Sequence, residues 1–152
     1  MLQKKINCIV KEFGDYFSVC FRFQNLLGDF EEYNFKSLNY ERQKHLIEKC
    51  ISILSKLKLK HNNLNCVVTS DSISFLEMAN KELGCYYVKG NLKHMGSDTS
   101  GDTTDYEKSF LDFYILAQGS CIYNVVVGEM YPSGFPLYAA KIYNIPFERI
   151  IV

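Results

Sequence analysis

The sequence predicts an α/β domain with a mostly parallel five-stranded sheet and helices on both faces. Three observations carry this. Strand-like and helix-like stretches alternate in the order β-α-β-α-β-α-β-α-β. The run Cys121–Val127 is almost continuously apolar, as expected of a strand covered on both sides. At 152 residues, 47% hydrophobic, with 11 Tyr and 11 Phe, the chain can bury a full core as one domain without disulfide staples. Right-handed crossovers follow from the same pattern.

The elements are read in chain order. Tyr16–Phe23 is β-branched and aromatic and ends in a polar turn, so it is a strand. A helix spans roughly Tyr40 to Lys58, because Leu46, Ile47, Cys50, Ile51, Leu54 and Leu57 recur at three- and four-residue spacing. Lys56, Lys58, Lys60 and His61 at its end suit the negative pole of the helix dipole. Leu64–Ser70 is the second strand. Asp71 and Ser72 offer N-caps for a helix that Gly84 stops after Leu83. Cys85–Val88 reads as a short third strand, and Gly90–Thr104 as an irregular polar loop. A helix from Asp105 to Gln118 is closed by Gly119. Cys121–Val127 is the fourth strand. Ser133 caps a helix over Gly134–Tyr143, with Pro136 in its first turn, and Arg149–Val152 is the last strand.

Composition removes several function classes. Lys plus Arg is 17 and Asp plus Glu is 17, so the chain lacks the basic surplus that binding to nucleic acid or anionic lipid draws on. The six cysteines form no C-x-x-C pair, and most sit in apolar segments, which fits buried reduced thiols in a reducing compartment. The N-terminal apolar run is too short for a signal peptide. The longest uncharged stretch, Phe113 to Gly128, is too short and too polar for a transmembrane segment. The chain therefore reads as soluble and cytoplasmic. No metal is expected, since Asp98, Asp102 and Asp105 match no metal-ligand spacing. Neither G-x-G-x-x-G nor a Walker A sequence is present.

In a parallel sheet, ligands bind beyond the carboxyl ends of the strands. Arg22 follows an apolar strand and is desolvated unless it meets an anion. A phosphate would satisfy it, and so would a local carboxylate such as Asp29 or Glu31, or solvent. Ser133-Gly134-Phe135 opens a helix, either as a plain cap or as an anion site with Gly134 allowing close approach. Ser70 and Asp71 follow the second strand. Asp71 is either a ribose or base contact or a helix cap. Asp112 on an apolar helix is a candidate for recognising a base N–H, or else a half-exposed neighbour of Asp105 and Lys108. His94 lies in the polar loop, exposed or touching a phosphate or donor sugar.

Four segments in this order resemble the donor-binding domain of GT-B glycosyltransferases of the fucosyltransferase-like superfamily, which includes nodulation-type α1,6-fucosyltransferases and protein O-fucosyltransferases. They are Ser18–Phe23 with Gly28-Asp29, Val67–Ser72, Phe110–Ala117, and Ser133-Gly134-Phe135 with Ala139-Ala140. Together they cover about Tyr16 to Val152. The family's first strand carries His-x-Arg. Here Cys20 stands at the His position and Arg22 keeps the Arg. The resemblance implies a Rossmann-like, three-layer half of a GT-B fold over residues 16–152, with 1–15 as a lead-in segment. It implies binding of GDP-fucose or a related nucleotide sugar for inverting, metal-independent transfer to a glycan acceptor, with the GDP-sugar as donor substrate and no further cofactor. Arg22 would stabilise the leaving diphosphate as the catalytic residue. Ser70, Asp71, Asp112, Ser133, Gly134, Phe135 and His94 would contact the donor. Asp29 and Glu31 are the local candidates for a general base. The acceptor-side domain is expected to lie outside this chain. The alternative expectation is a truncated or non-catalytic α/β nucleotide- or phosphate-binding module.

Overall fold

A computed structural model describes residues 2–30, 36–90 and 106–152. In order these form α1 (Leu2–Phe13), β1 (Tyr16–Phe21), α2 (Tyr40–Lys60), β2 (Asn65–Ser70), α3 (Ile73–Leu83), α4 (Glu107–Leu116), β3 (Ile122–Val126), α5 (Phe135–Tyr143) and β4 (Phe147–Ile151). The sheet has four strands in the order β2-β1-β3-β4, and every pairing is parallel.

The expected fifth strand, Cys85–Val88, is reduced to a single parallel bridge between Tyr86 and Val67. Tyr86 trades two backbone hydrogen bonds with the edge of β2, to Cys66 and from Val68, each 2.8 Å. Positive-φ glycines bracket the segment, Gly84 at 63° and Gly90 at 147°. The chain turns in and out of register within those few residues, so no ladder develops.

Alternation along β1 assigns the two faces. Phe17, Val19 and Phe21 pack with Leu46, Cys50, Leu54 and Leu57 of α2 and with Phe75, Leu76 and Ala79 of α3. Tyr16 packs with α1 and α4 through Ile6, Phe13, Leu111 and Ile115, and Cys20 with α4 and α5 through Leu116 and Ala139. Burial of these side chains is the main stabilising term, roughly 1.5–3 kcal/mol for each large one. The residues read as a lead-in thus form a helix whose Ile6 and Phe13 are buried.

Local chemistry fixes the helix ends. Asn39 Oδ1 accepts from Arg42 N at 3.0 Å to start α2. Ser72 caps α3 through Phe75 N at 3.2 Å, and Gly84 closes it left-handed. The basic end of α2 does more than face a dipole. Lys58 Nζ donates to the Leu83 carbonyl, Lys60 Nζ donates to Tyr123 Oη at 3.1 Å, and His61 Nε2 bonds the same Oη at 2.8 Å. Gly119 does not take the left-handed cap conformation expected of it. A Cβ there would stand 2.7 Å from Ser18 Oγ and 3.2 Å from the Tyr16 ring, so close approach to β1 explains the residue.

Cys20, Cys50, Cys66 and Cys85 are free and buried, and Cys8 is free and exposed. Among the described residues no helix is long and apolar enough to cross a membrane, and no group of three or more His, Cys, Asp or Glu is placed to hold a metal ion.

Candidate functional site

The chain steps outward from β1 to β2, then returns to add β3 and β4 on the other side of β1. The connections leave β1 and β3 in opposite directions, and that opens a crevice at their carboxyl ends. Arg22 is the first residue beyond β1, and Val127-Gly128-Glu129 follow β3.

Arg22 is half-buried and meets a carboxylate that local spacing did not nominate. Its Nη1 lies 3.2 Å from Asp71 Oδ2, and its guanidinium lies 5.4 Å from the Phe30 ring centroid. Asp71 also accepts from the backbone N–H of Phe23 at 2.8 Å and of Gln24 at 2.7 Å. It clasps the end of β1 to the end of β2 and does not cap α3, a role Ser72 takes. Burial pushes the Asp71 carboxyl above the usual range, against the pull of Arg22 and of those two N–H groups. Ser70 Oγ accepts from Ser72 N at 3.1 Å and so shapes the same turn.

Asp29 Oδ2 receives Ser72 Oγ at 2.8 Å, Ser74 Oγ at 2.7 Å and Ser74 N at 3.1 Å. Those donors hold it as a turn anchor and leave it poorly suited to a general base. Glu31 and His94 lie outside the described residues.

Asp112 is a neighbour of Lys108 but is buried, not half-exposed. Its Oδ2 is 2.5 Å from Lys108 Nζ one helical turn earlier, and the two side chains are 6% and 3% exposed. Burial outweighs Lys108 and lifts the carboxyl to about 6. Asp112 Oδ1 has no hydrogen-bond partner, and neither does Thr69 Oγ1. Thr69 is the register neighbour of Cys20 on the face that α4 covers. Asp112, Asp71 and Arg22 all act electrostatically on the Cys20 thiol, which burial pushes up to about 12. A thiol so held stays protonated at neutral pH. The arrangement is a buried polar cluster around Cys20, in which Thr69 Oγ1 has at most the weak thiol contact and Asp112 Oδ1 has no partner. Such atoms are rare and call for a ligand or an ordered water.

The β3–α5 loop closes the other side. Tyr131 N donates to the Arg22 carbonyl at 3.2 Å. The N-cap of α5 is Gly134 and not Ser133, whose Oγ instead accepts from Phe135 N at 3.2 Å. Phe135 packs edge-on against Phe113 at 5.3 Å, so its ring serves the α4–α5 contact. A Cβ on Gly134 would meet the Tyr138 ring at 3.1 Å, which gives this glycine a packing reason of its own.

A groove of about 290 Å³ lies across the same edge, lined by Leu38, Arg42, His45, Leu46 and the turn Val127–Glu129. Arg42 pairs with Glu129 there. Arg22, Asp71, Asp112 and Ser133 do not line it.

The residues of the cluster that the sequence did not nominate for a site are Thr69, Asn124 and Arg149, while Lys108 was named only as a neighbour of Asp112. Asn124 is a fully buried amide inside an apolar strand, and Arg149 breaks an apolar strand as Arg22 follows one. Polar residues in such runs were the available signal. Lys108 stands four residues before Asp112, the spacing of a helical ion pair. Comparison with protein-family models and with curated protein sequences returns no match.

Proposed function

We propose that the chain is the donor-binding, Rossmann-like half of a glycosyltransferase that resembles the fucosyltransferase-like superfamily, taking GDP-fucose or a related nucleotide sugar for inverting transfer. The observation that carries the reading is the unsatisfied Asp112 Oδ1, buried in a polar cluster around Cys20 on which Arg22 also acts. A carboxylate oxygen there suits a base N–H, and Arg22 suits the diphosphate.

In this reading Arg22 stabilises the charge that develops on the leaving diphosphate as the glycosidic bond breaks. Asp71 holds Arg22 in place, and the start of α5 adds the positive end of its dipole. A second reading, a nucleotide-binding module without turnover, is favoured by Asp29. One of the two local base candidates is already engaged by three donor groups of Ser72 and Ser74.

Calorimetric titration with GDP, GDP-fucose, UDP-glucose and FMN tests the proposal. GDP and GDP-fucose should bind best, and preference for FMN overturns the transferase reading. Arg22→Ala should weaken GDP binding about tenfold or more, about 1.4 kcal/mol. Arg22→Lys keeps a cation beside Asp71 and guards against simple misfolding. Unchanged GDP affinity in both variants removes Arg22 from the diphosphate site. Sugar release from a bound donor in the presence of glycan acceptors separates the enzyme from the silent module.

A further inference from the structure

Arg149 stands on β4, the edge strand, in register with Asn124 of β3, which is in register with Cys20 of β1. Its Nε donates to Asn124 Oδ1 at 2.9 Å and its Nη2 to the Ser133 carbonyl at 2.8 Å. Asn124 Nδ2 passes the connection on to the Cys20 carbonyl at 3.3 Å. Two of the ties on the β3–α5 loop bear on its position relative to β1 and β4. Tyr131 ties it to Arg22 at the end of β1, and Arg149 ties Ser133 to the edge of the sheet. A half-buried guanidinium and a fully buried amide are costly in an apolar sheet, and here their hydrogen bonds converge on the loop that opens α5.

We propose that Arg149 is a positioning residue of the diphosphate site, setting the start of α5 at a fixed height relative to Arg22 by holding the Ser133 carbonyl. The proposal rests on the donor-binding reading above. Nε–H and the neighbouring Nη2–H form one side-on edge of a rigid fork, and that edge spans Asn124 and Ser133 together. An ammonium group cannot reproduce this, because its donors radiate from one point on a flexible stem. Both acceptors are uncharged, so the network leaves the guanidinium's positive charge beside the loop.

The test compares the wild type with Arg149→Lys and Arg149→Gln in two measurements. The first is titration with GDP and with guanosine. The second is amide hydrogen exchange over residues 127–138. Both variants should exchange faster in that segment. They should lose about fivefold or more in GDP affinity while guanosine affinity stays within about twofold. Arg149→Lys restoring GDP affinity while exchange remains fast makes the effect one of charge and overturns positioning. Equal losses for GDP and guanosine, or unaltered exchange, also overturn it. A wild type that binds guanosine but gains nothing from the phosphates overturns the donor reading and the proposal together. Normal GDP binding in every variant overturns the proposal alone.

Discussion

Asp71 and Asp112 are two buried carboxylates set to different tasks by their partners. Asp71 receives two backbone N–H groups and a guanidinium, so its charge is a fastener between strand ends. Asp71→Ala leaves the Phe23 and Gln24 N–H groups without their acceptor and should cost about 3 kcal/mol in urea unfolding. Asp112 holds one lysine and leaves one oxygen open. Its carboxyl is raised from 3.8 to about 6, so the folded chain binds that proton more tightly than the unfolded chain does. This contribution to stability is fully present below the unfolded value and is lost as pH rises through about 6. The double variant Lys108→Met with Asp112→Asn removes both charges. Its urea midpoint should vary less than the wild type's between about pH 4 and pH 7. If Asp112 accepts from a base N–H, nucleotide affinity of the wild type should rise over the same interval, as the acceptor oxygen loses its proton. Burial is what a sequence conceals about such residues. Arg22 was recognisable as an ion in need of a partner, but Asp71, a carboxylate it meets, lies in a different strand connection, beyond the reach of local spacing.

At the scale of elements, α2, α3 and α5 were legible because each carries a periodic apolar stripe and recognisable end chemistry. The α1 helix was not, although Leu2, Ile6, Ile9, Val10 and Phe13 sit at helical spacing on its packed side. Viewed as one short apolar run, those residues hid their period. The third strand failed for the opposite reason. Its residues favour extended structure, but the glycines on either side limit it to one bridge. Gly119 shows how tertiary packing can override a cap rule, since its hydrogen atom faces Ser18 and Tyr16 where a methyl has no room. Gly119→Ala should destabilise by about 1–3 kcal/mol through overpacking, seen as a lower denaturant midpoint with an unchanged slope. Ser18→Ala in the same background removes the closest clash and should recover part of that loss.

Across the whole molecule, α1 packs on α4, tied by the Lys5–Glu107 ion pair and by Ile6 and Phe13. Removing residues 2–13 uncovers Tyr16, Leu111 and Ile115. The truncated chain should bind a hydrophobic dye and unfold at lower urea. The fold class was readable because alternation of elements is a global pattern that survives local errors. The site was readable only as a set of strand ends, since the contacts joining Arg149, Asn124 and Ser133 come from segments far apart in the chain.

The central strand β1 has its two neighbours in very different parts of the chain, Asn65–Ser70 on one side and Ile122–Val126 on the other. A ribosome adding ~5–20 residues per second delivers the second neighbour roughly 3–10 s after the first. For that interval the nascent chain carries a hydrophobic strand with one bare edge, so its yield in cells should depend on chaperones that shelter such edges.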